Sequence, residues 1–398
     1  MPRLETRTWE ANPDAYGGRR ARRSFRYTAV VPDAIAAIDP SVPSSVASRV
    51  AAAERATQTL NEGPTQVANL EVLARRLLRA EAVASSWIEG VQLSHRRLAR
   101  AEAEAAEGRD VTAKAVLGNV AAMERIVALA DSKRALKMRD LLAVHRALMT
   151  QTPDARGAGE LRDRQNWIGG NPYNPSDASF IPPPPEYVPE LIEDLLRFLA
   201  RDDLSPALQA AVAHAQFEAI HPFGDGNGRV GRALIHFVLR RRKLAPRFVP
   251  PVSLVLAARS NSYVAGLNAY AEGRIAEWLE VFAEALESAA IRSAELGRTI
   301  AKLQEAWRER AGRPRRDSSA AALIAVLPAY PVLTVQSAAH VLERSIQAVN
   351  EGLGKLEAAA IVKRTRAMKW GRTFEAPELL QVVTAFEREL AFPHDGAR

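Results

Sequence analysis

One twelve-residue segment, HPFGDGNGRVGR from His221 to Arg232, restricts the fold of this chain more than any other. Pro222 disfavours helical geometry in the residue before it, so the helix that precedes the segment must end near His221. Glycines then recur at every second position, at Gly224, Gly226 and Gly228. Because helical periodicity resumes at about Gly228, the sequence predicts two helices joined by a glycine-rich loop.

Such a loop is suited to binding an anion. Glycines allow successive backbone N–H groups to face one point, which here lies at a helix N-terminus, where the helix dipole favours negative charge. Arg229 and Arg232 are three residues apart, so they share a helix face and can each contact phosphate through two nitrogens. Asp225 can hold Mg²⁺ against phosphate oxygens, and histidine at position 221 suits general-base work. Together these residues predict phosphoryl or nucleotidyl transfer.

Other site motifs fit the sequence poorly. Gly226 to Gly231 matches the dinucleotide fingerprint G-x-G-x-x-G, but that fingerprint needs a preceding strand and an acidic residue about 20 residues later. Here a helix precedes the motif, and Pro250-Pro251-Val252 lies where the acid should be. No Walker A pattern is present in the sequence. His214, Glu218 and His221 share a helical face, but the metal-binding order H-E-x-x-H is missing, and we expect a buried structural role for His214.

The segment resembles the signature of the Fic family, H-x-F-x-[D/E]-G-N-G-R-x-x-R, at every fixed position. The resemblance covers residues 138–282 and, more loosely, the flanking regions. It implies a protein adenylyltransferase, which transfers AMP from ATP to a Ser, Thr or Tyr hydroxyl of a target protein, with Mg²⁺ or Mn²⁺ as cofactor. Two alternatives stay open: a Fic enzyme that transfers another phosphate-containing group, and a DNA-binding regulator that only senses nucleotide.

The resemblance implies a role for each position of the segment. His221 would deprotonate the target hydroxyl, Phe223 would anchor the loop, and Asp225 would hold the metal ion. The rest of the segment would bind the nucleotide, through Gly226, Asn227, Gly228, Arg229, Val230, Gly231 and Arg232. Tyr263 resembles a further family position near the nucleotide, with packing in the core as the alternative role.

A short hairpin is predicted upstream of this segment, and it resembles the flap that aligns the target beside the histidine in the family. The residues that match the flap in position and character are Asn166, Trp167, Ile168 and Gly169. Residues 179–181 would form the second strand, and the polar stretch 171–177 would form the turn. Ordinary packing within the hairpin is the alternative role for Trp167 and Ile168.

Residues 85–90, SSWIEG, resemble the inhibitory motif of the family, [S/T]-x-x-x-E-[G/N]. The motif ends a helical run, and Gly90 is suited to a left-handed C-terminal cap. An acid at a helix C-terminus opposes the helix dipole unless a cation offsets it. The resemblance implies that Glu89, together with Ser85, pairs with Arg232 and keeps ATP from its productive pose. Because the motif precedes the core, this would be autoinhibition within one chain; whether the same glutamate also supports removal of AMP stays open.

We expect a mainly α-helical chain that comprises a Fic helical core, a β-hairpin flap and a C-terminal winged helix-turn-helix. The expected divisions are an irregular arm (1–45), an N-terminal helical region with the inhibitory helix (46–137), the Fic core (138–282), a helix and basic linker (283–316) and the winged-helix domain (317–398). The last domain is predicted to contact either a protein, including a second copy of this chain, or DNA phosphates. A homodimer is also considered, because Fic relatives often dimerise.

Composition excludes several kinds of site. The chain has no cysteine, so a disulfide, a thiolate metal site and a cysteine nucleophile are all excluded. The first residues, MPRLETRTWE, lack the apolar core of a signal peptide, and no run of about 18 apolar residues predicts a membrane span. We therefore expect a cytoplasmic protein without membrane contact. The net charge of +8 suits contact with phosphate groups but also fits a solvated arginine-rich surface.

Overall fold

The computed structural model of the protein describes residues 2–11, 22–62, 70–103, 110–132, 134–150, 152, 155–368 and 371–391. Helices dominate this part of the chain, and the strands form two small sheets. The mainly helical fold predicted from the sequence is therefore confirmed. No helix within these ranges has both the length and the apolar character that a membrane-spanning segment requires.

The elements follow the chain in three groups. The N-terminal group contains β1 (Arg3–Trp9), β2 (Phe25–Val31), α1 (Ser44–Glu62), α2 (Leu70–Ile88), α3 (His95–Ala103) and α4 (Val111–Asp131). The central group contains α5 (Met138–Met149), α6 (Val188–Ala200), α7 (Pro206–Ile220), α8 (Asn227–Arg241), α9 (Val252–Ala258), α10 (Ser260–Ala271) and α11 (Ile275–Arg310). The C-terminal group contains α12 (Ser319–Val326), β3 (Val332–Thr334), α13 (Val335–Leu342), α14 (Ile346–Ala358), β4 (Lys363–Met368), β5 (Gly371–Glu375) and α15 (Pro377–Ala391).

Helices α7 and α8 lie at the centre of the core and are buried on nearly every face. Neighbouring helices can approach α7 closely because many of its positions are alanine, namely Ala207, Ala210, Ala211, Ala213, Ala215 and Ala219. Helices α4 and α5 cover α8 from one side, while α10 and α11 pack against α7. The loop between α7 and α8 is therefore fixed at both of its ends by buried helices.

The irregular arm predicted for residues 1–45 is wrong in its described part. Strands β1 and β2 form an antiparallel sheet in which Arg3 lies opposite Val31 and Trp9 opposite Phe25. Side chains of β1 alternate between exposed and half-buried, which is the pattern of a strand with one packed face. The half-buried face of β1 carries Glu5, Arg7 and Trp9, while Leu4 is exposed, so this strand shows no alternation of apolar and polar residues in the sequence.

The C-terminal group has the helix order and the terminal hairpin expected of a winged helix-turn-helix. Its three strands form an antiparallel sheet in the order β3–β5–β4. Strand β3 and helix α15 were not anticipated, and α15 packs back against α9 and α11. The hairpin tip at residues 369–370 lies outside the described residues, and contact of this module with DNA or with a protein stays a prediction.

This C-terminal module is attached to the N-terminal helices. Glu375, whose side chain is only 4% exposed, accepts hydrogen bonds from Nε of Arg96 at 3.0 Å and Nε of Arg100 at 2.6 Å. Both arginines belong to α3. The guanidinium group of Arg75 on α2 lies 4.4 Å from the ring centroid of Tyr330. The module therefore contacts the helix that carries the predicted inhibitory motif.

We predict that Glu375→Gln lowers the free energy of unfolding by about 1–3 kcal/mol, because it weakens buried hydrogen bonds to two charged groups. The matched control is Glu357→Gln, which removes a more exposed pair with Arg364 at 3.6 Å, where the glutamate is 37% exposed. That control should change stability by less than about 1 kcal/mol. Urea unfolding followed by circular dichroism measures both, and equal losses would contradict a docking role for Glu375.

Candidate active site

The catalytic histidine predicted from sequence lies where α7 ends. His221 adopts a left-handed backbone conformation with φ of 51°, and its N–H donates to the carbonyl of Phe217 at 2.9 Å. A residue with a β-carbon is strained in this region, at a cost of roughly 1–3 kcal/mol. Surrounding groups must therefore hold the turn, and Pro222 directly after it prevents the helix from continuing.

Two side chains hold this turn, one from just before the flap and one from its first residue. Nε of Arg162 donates to the carbonyl of His221 at 2.8 Å, while its backbone N–H donates to the carbonyl of Pro222 at 3.0 Å. Nδ2 of Asn166 donates to the carbonyl of Phe223 at 3.0 Å. Burial lowers the pKa of Arg162 to about 10, so the guanidinium stays charged at neutral pH. The flap and the loop are thereby joined into one unit.

Asn227 closes the loop from the side of α8. Its Oδ1 accepts from the N–H of Phe223 and its Nδ2 donates to the carbonyl of the same residue, both at 2.8 Å. The ring of Phe223 is fully buried and stacks on His145 with 3.7 Å between centroids. This position suits the anchoring role that the family resemblance implies for Phe223.

His145 was not anticipated as part of the site. Its Nδ1 accepts from the N–H of Gly159 at 2.9 Å, so Nε2 carries the proton and donates to the carbonyl of Asp225 at 3.0 Å. Burial lowers the pKa of His145 to about 4, which keeps the ring neutral. A polar residue on the apolar face of α5, beside Leu141 and Val144, was the signal that could have identified it.

The N-terminus of α8 faces the carboxylate of Glu89. Gly226 caps the helix with φ of 80°, and a β-carbon at Gly228 would collide with Oε1 of Glu89. Glycine at position 228 therefore allows an oxygen atom to approach the helix terminus closely. An anion is favoured at this place because of the helix dipole and the unpaired N–H groups.

Arg232 is fully buried, and its nitrogens contact the predicted inhibitory motif. Nε donates to Oγ of Ser85 at 2.9 Å, and the terminal NH2 group donates to the carbonyl of Ser85 at 2.9 Å and to Oε1 of Glu89 at 2.7 Å. Burial alone would raise the pKa of Glu89, but the charge of Arg232 outweighs it and the net pKa is lowered. Ser85, Glu89 and Arg232 are thus brought together as predicted.

The turn that presents Glu89 ends helix α2. Gly90 has φ of 78° and donates its N–H to the carbonyl of Trp87, while Val91 donates to the carbonyl of Ser86, both at 2.9 Å. These two bonds form a Schellman motif, in which a left-handed residue terminates a helix. The predicted glycine cap is therefore present, and Glu89 occupies the C-cap position that points towards α8.

Asp225 and Arg229 lie at the open side of the loop. The side chain of Asp225 is 67% exposed, and NH2 of Arg229 lies 3.3 Å from its Oδ2. Oδ1 of Asp225 also accepts from the N–H of Gly226 at 2.6 Å. Nε of Arg229 is buried and has no hydrogen-bond partner among the described residues. A nearby phosphate group could satisfy this nitrogen, while Asp225 presents a carboxylate to solvent.

The flap is shorter than predicted. Only Ile168 and Phe180 pair as strand residues, with the N–H of Ile168 donating to the carbonyl of Phe180 at 2.8 Å. Gly169 and Gly170 both have positive φ, so the chain turns away immediately after the bridge. Nε1 of Trp167 donates to the carbonyl of Asn171 at 2.8 Å, which is packing within the hairpin.

Tyr263 lies in the core, in agreement with the packing alternative. Its hydroxyl is 2.8 Å from Nε2 of His214 and accepts from NH1 of Arg232 at 3.4 Å. The two rings are parallel, with 5.9 Å between their centroids, and His214 is fully buried. Contact between Tyr263 and a nucleotide stays a prediction.

Two family models match the chain: the Fic/DOC family over residues 135–239 and the Fic/DOC family N-terminal region over residues 47–127. Residues 47–127 and 135–239 of this chain therefore match the two regions that characterise the Fic/DOC family. Curated relatives include protein adenylyltransferase Fic from Drosophila erecta, 34% identical over 138 residues, which are 34% of this chain and 26% of the relative. Protein adenylyltransferase fic-1 from Caenorhabditis elegans is 31% identical over 131 residues, or 32% of this chain and 23% of the relative.

The matches therefore span about a quarter of the length of these curated relatives. Two solved structures are similar in fold. A Fic family protein from Desulfovibrio desulfuricans G20 superposes with a TM-score of 0.54 at 22% identity, covering 85% of this chain and 97% of the other. Fic-1 (aa134–508) from C. elegans superposes with a TM-score of 0.51 at 21% identity, covering 64% and 73%. These Fic structures support the helical fold described above.

The buried histidine of the Fic core predicts a pH dependence of stability. Burial lowers the pKa of His214 to about 3, so the native state cannot bind the proton that the unfolded chain binds below its ordinary pKa of about 6.5. Stability from this group is therefore lost as pH falls from about 6.5 towards 3, at up to about 1.4 kcal/mol per pH unit. Burial raises the pKa of Glu218 to about 8. The contribution of this carboxyl to the free energy of unfolding therefore falls, rather than rises, as pH increases from its ordinary pKa to about 8.

We therefore expect His214→Gln to reduce the rise of unfolding free energy between pH 4.5 and 6.5 by about 1 kcal/mol per pH unit. Tyr263→Phe is the matched control, because it breaks the same hydrogen bond but keeps the histidine. Urea unfolding across this pH range measures the slope for both variants. A slope that is the same in His214→Gln and the wild type would contradict the prediction.

Proposed function

We propose that this Fic protein is an autoinhibited protein adenylyltransferase, which transfers AMP from ATP to a Ser, Thr or Tyr hydroxyl of a target protein. The observation that carries the proposal is the carboxylate of Glu89 at the N-terminus of α8, hydrogen-bonded to Arg232 at 2.7 Å. The printed names of the curated relatives, protein adenylyltransferase, support the same reaction.

The geometry supports His221 as the general base. Burial lowers its pKa to about 4, so the imidazole is uncharged at neutral pH and free to accept a proton. The target hydroxyl would lose its proton to His221 as its oxygen attacks the α-phosphorus of ATP. The bond from the α-phosphorus to the bridging oxygen would break, and pyrophosphate would leave. The flap, held to this loop by Asn166, lies beside the histidine where the target segment must approach.

The residues at the loop fit a Mg²⁺ or Mn²⁺ ion held jointly with the nucleotide. Asp225 offers one exposed carboxylate beside the N-terminus of α8, and no cluster of three acidic or histidine ligands occurs among the described residues. Mg²⁺ in nucleotide sites is commonly held by one or two carboxylates, with phosphate oxygens and water as the other ligands. When bound there, the ion would neutralise developing charge on the phosphates.

Autoinhibition follows from competition for one positive site. The outer phosphates of ATP and the carboxylate of Glu89 would both seek Arg232 and the N–H groups at Gly228. Arg232 is already bonded to Ser85 and Glu89, so productive binding requires Glu89 to leave. The glutamate side chain is partly exposed, which leaves it a path towards solvent.

The first test compares the wild type, Glu89→Gly and Glu89→Gly/His221→Ala, each with Mg²⁺ and α-labelled ATP, scored by label on protein. Removal of the carboxylate frees Arg232, and we expect labelling to rise by at least about tenfold, since a lost competitor of about 1.4 kcal/mol has that effect. The added His221→Ala should abolish the labelling.

Two further variants control for position and charge. Trp87→Ala changes a side chain on the same turn that is 50% exposed, and should leave labelling as low as in the wild type. Glu89→Gln keeps the shape but removes the charge, and should give intermediate labelling. If ATP binds but no variant transfers label, the proposal of a transferase is overturned in favour of a nucleotide-sensing regulator.

The metal site is tested in the Glu89→Gly protein, in which the carboxylate that competes with ATP is absent. We expect Glu89→Gly/Asp225→Asn to transfer label at least about tenfold more slowly at low Mg²⁺ than Glu89→Gly, with partial recovery at high Mg²⁺ or Mn²⁺. The matched control is Glu89→Gly/Asp163→Asn, since Asp163 is 91% exposed and pairs only loosely, at 4.0 Å, with Arg164. Equal rates and equal metal dependence in the two double variants would argue against Asp225 as the ligand.

A further inference from the structure

Glu218 lies on the inner side of the catalytic histidine, one helical turn earlier on α7. Its Oε2 is 3.9 Å from Nδ1 of His221, and its Oε1 is buried without a hydrogen-bond partner among the described residues. Nδ1 of His221 is likewise buried and has no hydrogen-bond partner at bonding distance and angle among the described residues. Two polar groups that can complement each other are therefore adjacent and unsatisfied, which is costly in a buried place.

The neighbouring helix leaves space for this carboxyl group. A β-carbon at Gly231 would lie 2.6 Å from Oε1 of Glu218 and 3.0 Å from the ring of Phe217. Glycine inside a helix costs about 1 kcal/mol relative to alanine, so its presence in α8 needs a packing reason. The position of the Glu218 carboxyl supplies that reason.

Glu218 is surrounded by charged and titratable groups from three other helices. Nδ1 of His214 on α7 lies 4.0 Å from Oε1 of Glu218. Arg232 on α8, Glu89 at the end of α2 and Tyr263 on α10 act on the same region electrostatically. Burial raises the pKa of Glu218 to about 8, and Arg232 acts against that rise. The carboxyl group can therefore change its protonation near neutral pH.

We propose that Glu218 is the positioning residue of His221, a role that rests on the transferase function proposed above. The ionised carboxylate accepts a hydrogen bond from Nδ1–H of His221, which leaves Nε2 unprotonated and directed to the target hydroxyl. When Nε2 takes the hydroxyl proton, the carboxylate stabilises the imidazolium that results. The separation of 3.9 Å is that of the inhibited state, and catalytic hydrogen bonds commonly shorten when substrate binds.

A protonated Glu218 has the opposite effect. Its O–H donates to Nδ1, so the ring proton moves to Nε2 and the base can no longer accept from the hydroxyl. The transfer rate should therefore rise with pH as Glu218 loses its proton. The backbone carbonyl of Glu218 also faces the ring and favours its protonated form, so this carbonyl is the competing explanation for the orientation of His221.

The kinetic test uses the Glu89→Gly protein as parent, because its labelling establishes the transferase independently. We expect added Glu218→Gln or Glu218→Ala to lower kcat by about 10- to 100-fold with little change in KM for ATP, and to remove the rise of kcat with pH that the ionisation of Glu218 gives the parent. Glu218→Asp should retain part of the rate. Glu190→Gln, an exposed glutamate on α6, is the matched control.

A second readout does not need activity. In histidine labelled with ¹⁵N, the His221 ring should be mainly protonated at Nδ1 at pH 9 and shift towards the Nε2–H form at pH 6. In Glu218→Ala this shift should vanish, with folding checked by circular dichroism. If the variants keep kcat within about twofold and the His221 tautomer is unchanged, the backbone carbonyl alone orients the ring and the proposal is wrong. A parent that transfers no label would instead overturn the transferase, while the spectra still decide the role of Glu218.

Discussion

The sharp left-handed turn at His221 is the constraint on which the rest of the site depends. A residue with a side chain resists this conformation, and three side chains hold it there: Arg162 and Asn166 from the segment at the flap, and Asn227 from α8. Each of them satisfies a main-chain group of the loop that would otherwise be buried without a partner. The same bonds fix the flap beside the histidine and set the direction in which α8 begins. A strained turn, a flap and an anion site are therefore consequences of one network of side-chain-to-backbone hydrogen bonds.

The buried positive charge of Arg232 likewise depends on groups from other parts of the chain. A fully buried guanidinium group is costly unless it is paired, because desolvation of a charge outweighs a weak Coulomb attraction. Burial opposes the charge, but Glu89, Tyr263 and Glu218 together keep the pKa of Arg232 above its ordinary value. Glu89 therefore stabilises the arginine in the absence of nucleotide, and a phosphate group that replaced it would supply the same negative charge. A carboxylate and a phosphate group are therefore exchangeable here, because a buried guanidinium group requires an anion beside it.

Much of this could be predicted from sequence because the information is local. The helix boundaries around His221 and Gly228 follow from proline and glycine chemistry, and the loop segment resembles the Fic signature at every fixed position. Arg162 and His145 were missed because their roles arise from contacts with the loop more than 50 residues away, although the position of His145 on the apolar face of α5 was a local signal. The flap contains a single bridge because Gly169 and Gly170 are both left-handed and turn the chain away from its partner strand. The pattern of apolar residues in the sequence does not reveal this turn. Strand β1 was missed because its half-buried face carries Glu5 and Arg7, so the sequence shows no alternation of apolar and polar residues there.

The burial of helix α2 has a further consequence for how the Glu89 carboxylate can leave the N-terminus of α8. Residues 79–86 are buried on every face, whereas Trp87, Glu89 and Gly90 at its end are exposed. Amides in such an enclosed helix open only with most of the domain, on the slow timescale of global unfolding. Release of Glu89 instead requires only that its ion pair with Arg232 breaks and that one partly exposed side chain changes rotamer. Under the proposed autoinhibition, the inhibitory element is thus a single side chain on a rigid support, and its release would not require any part of the fold to unfold.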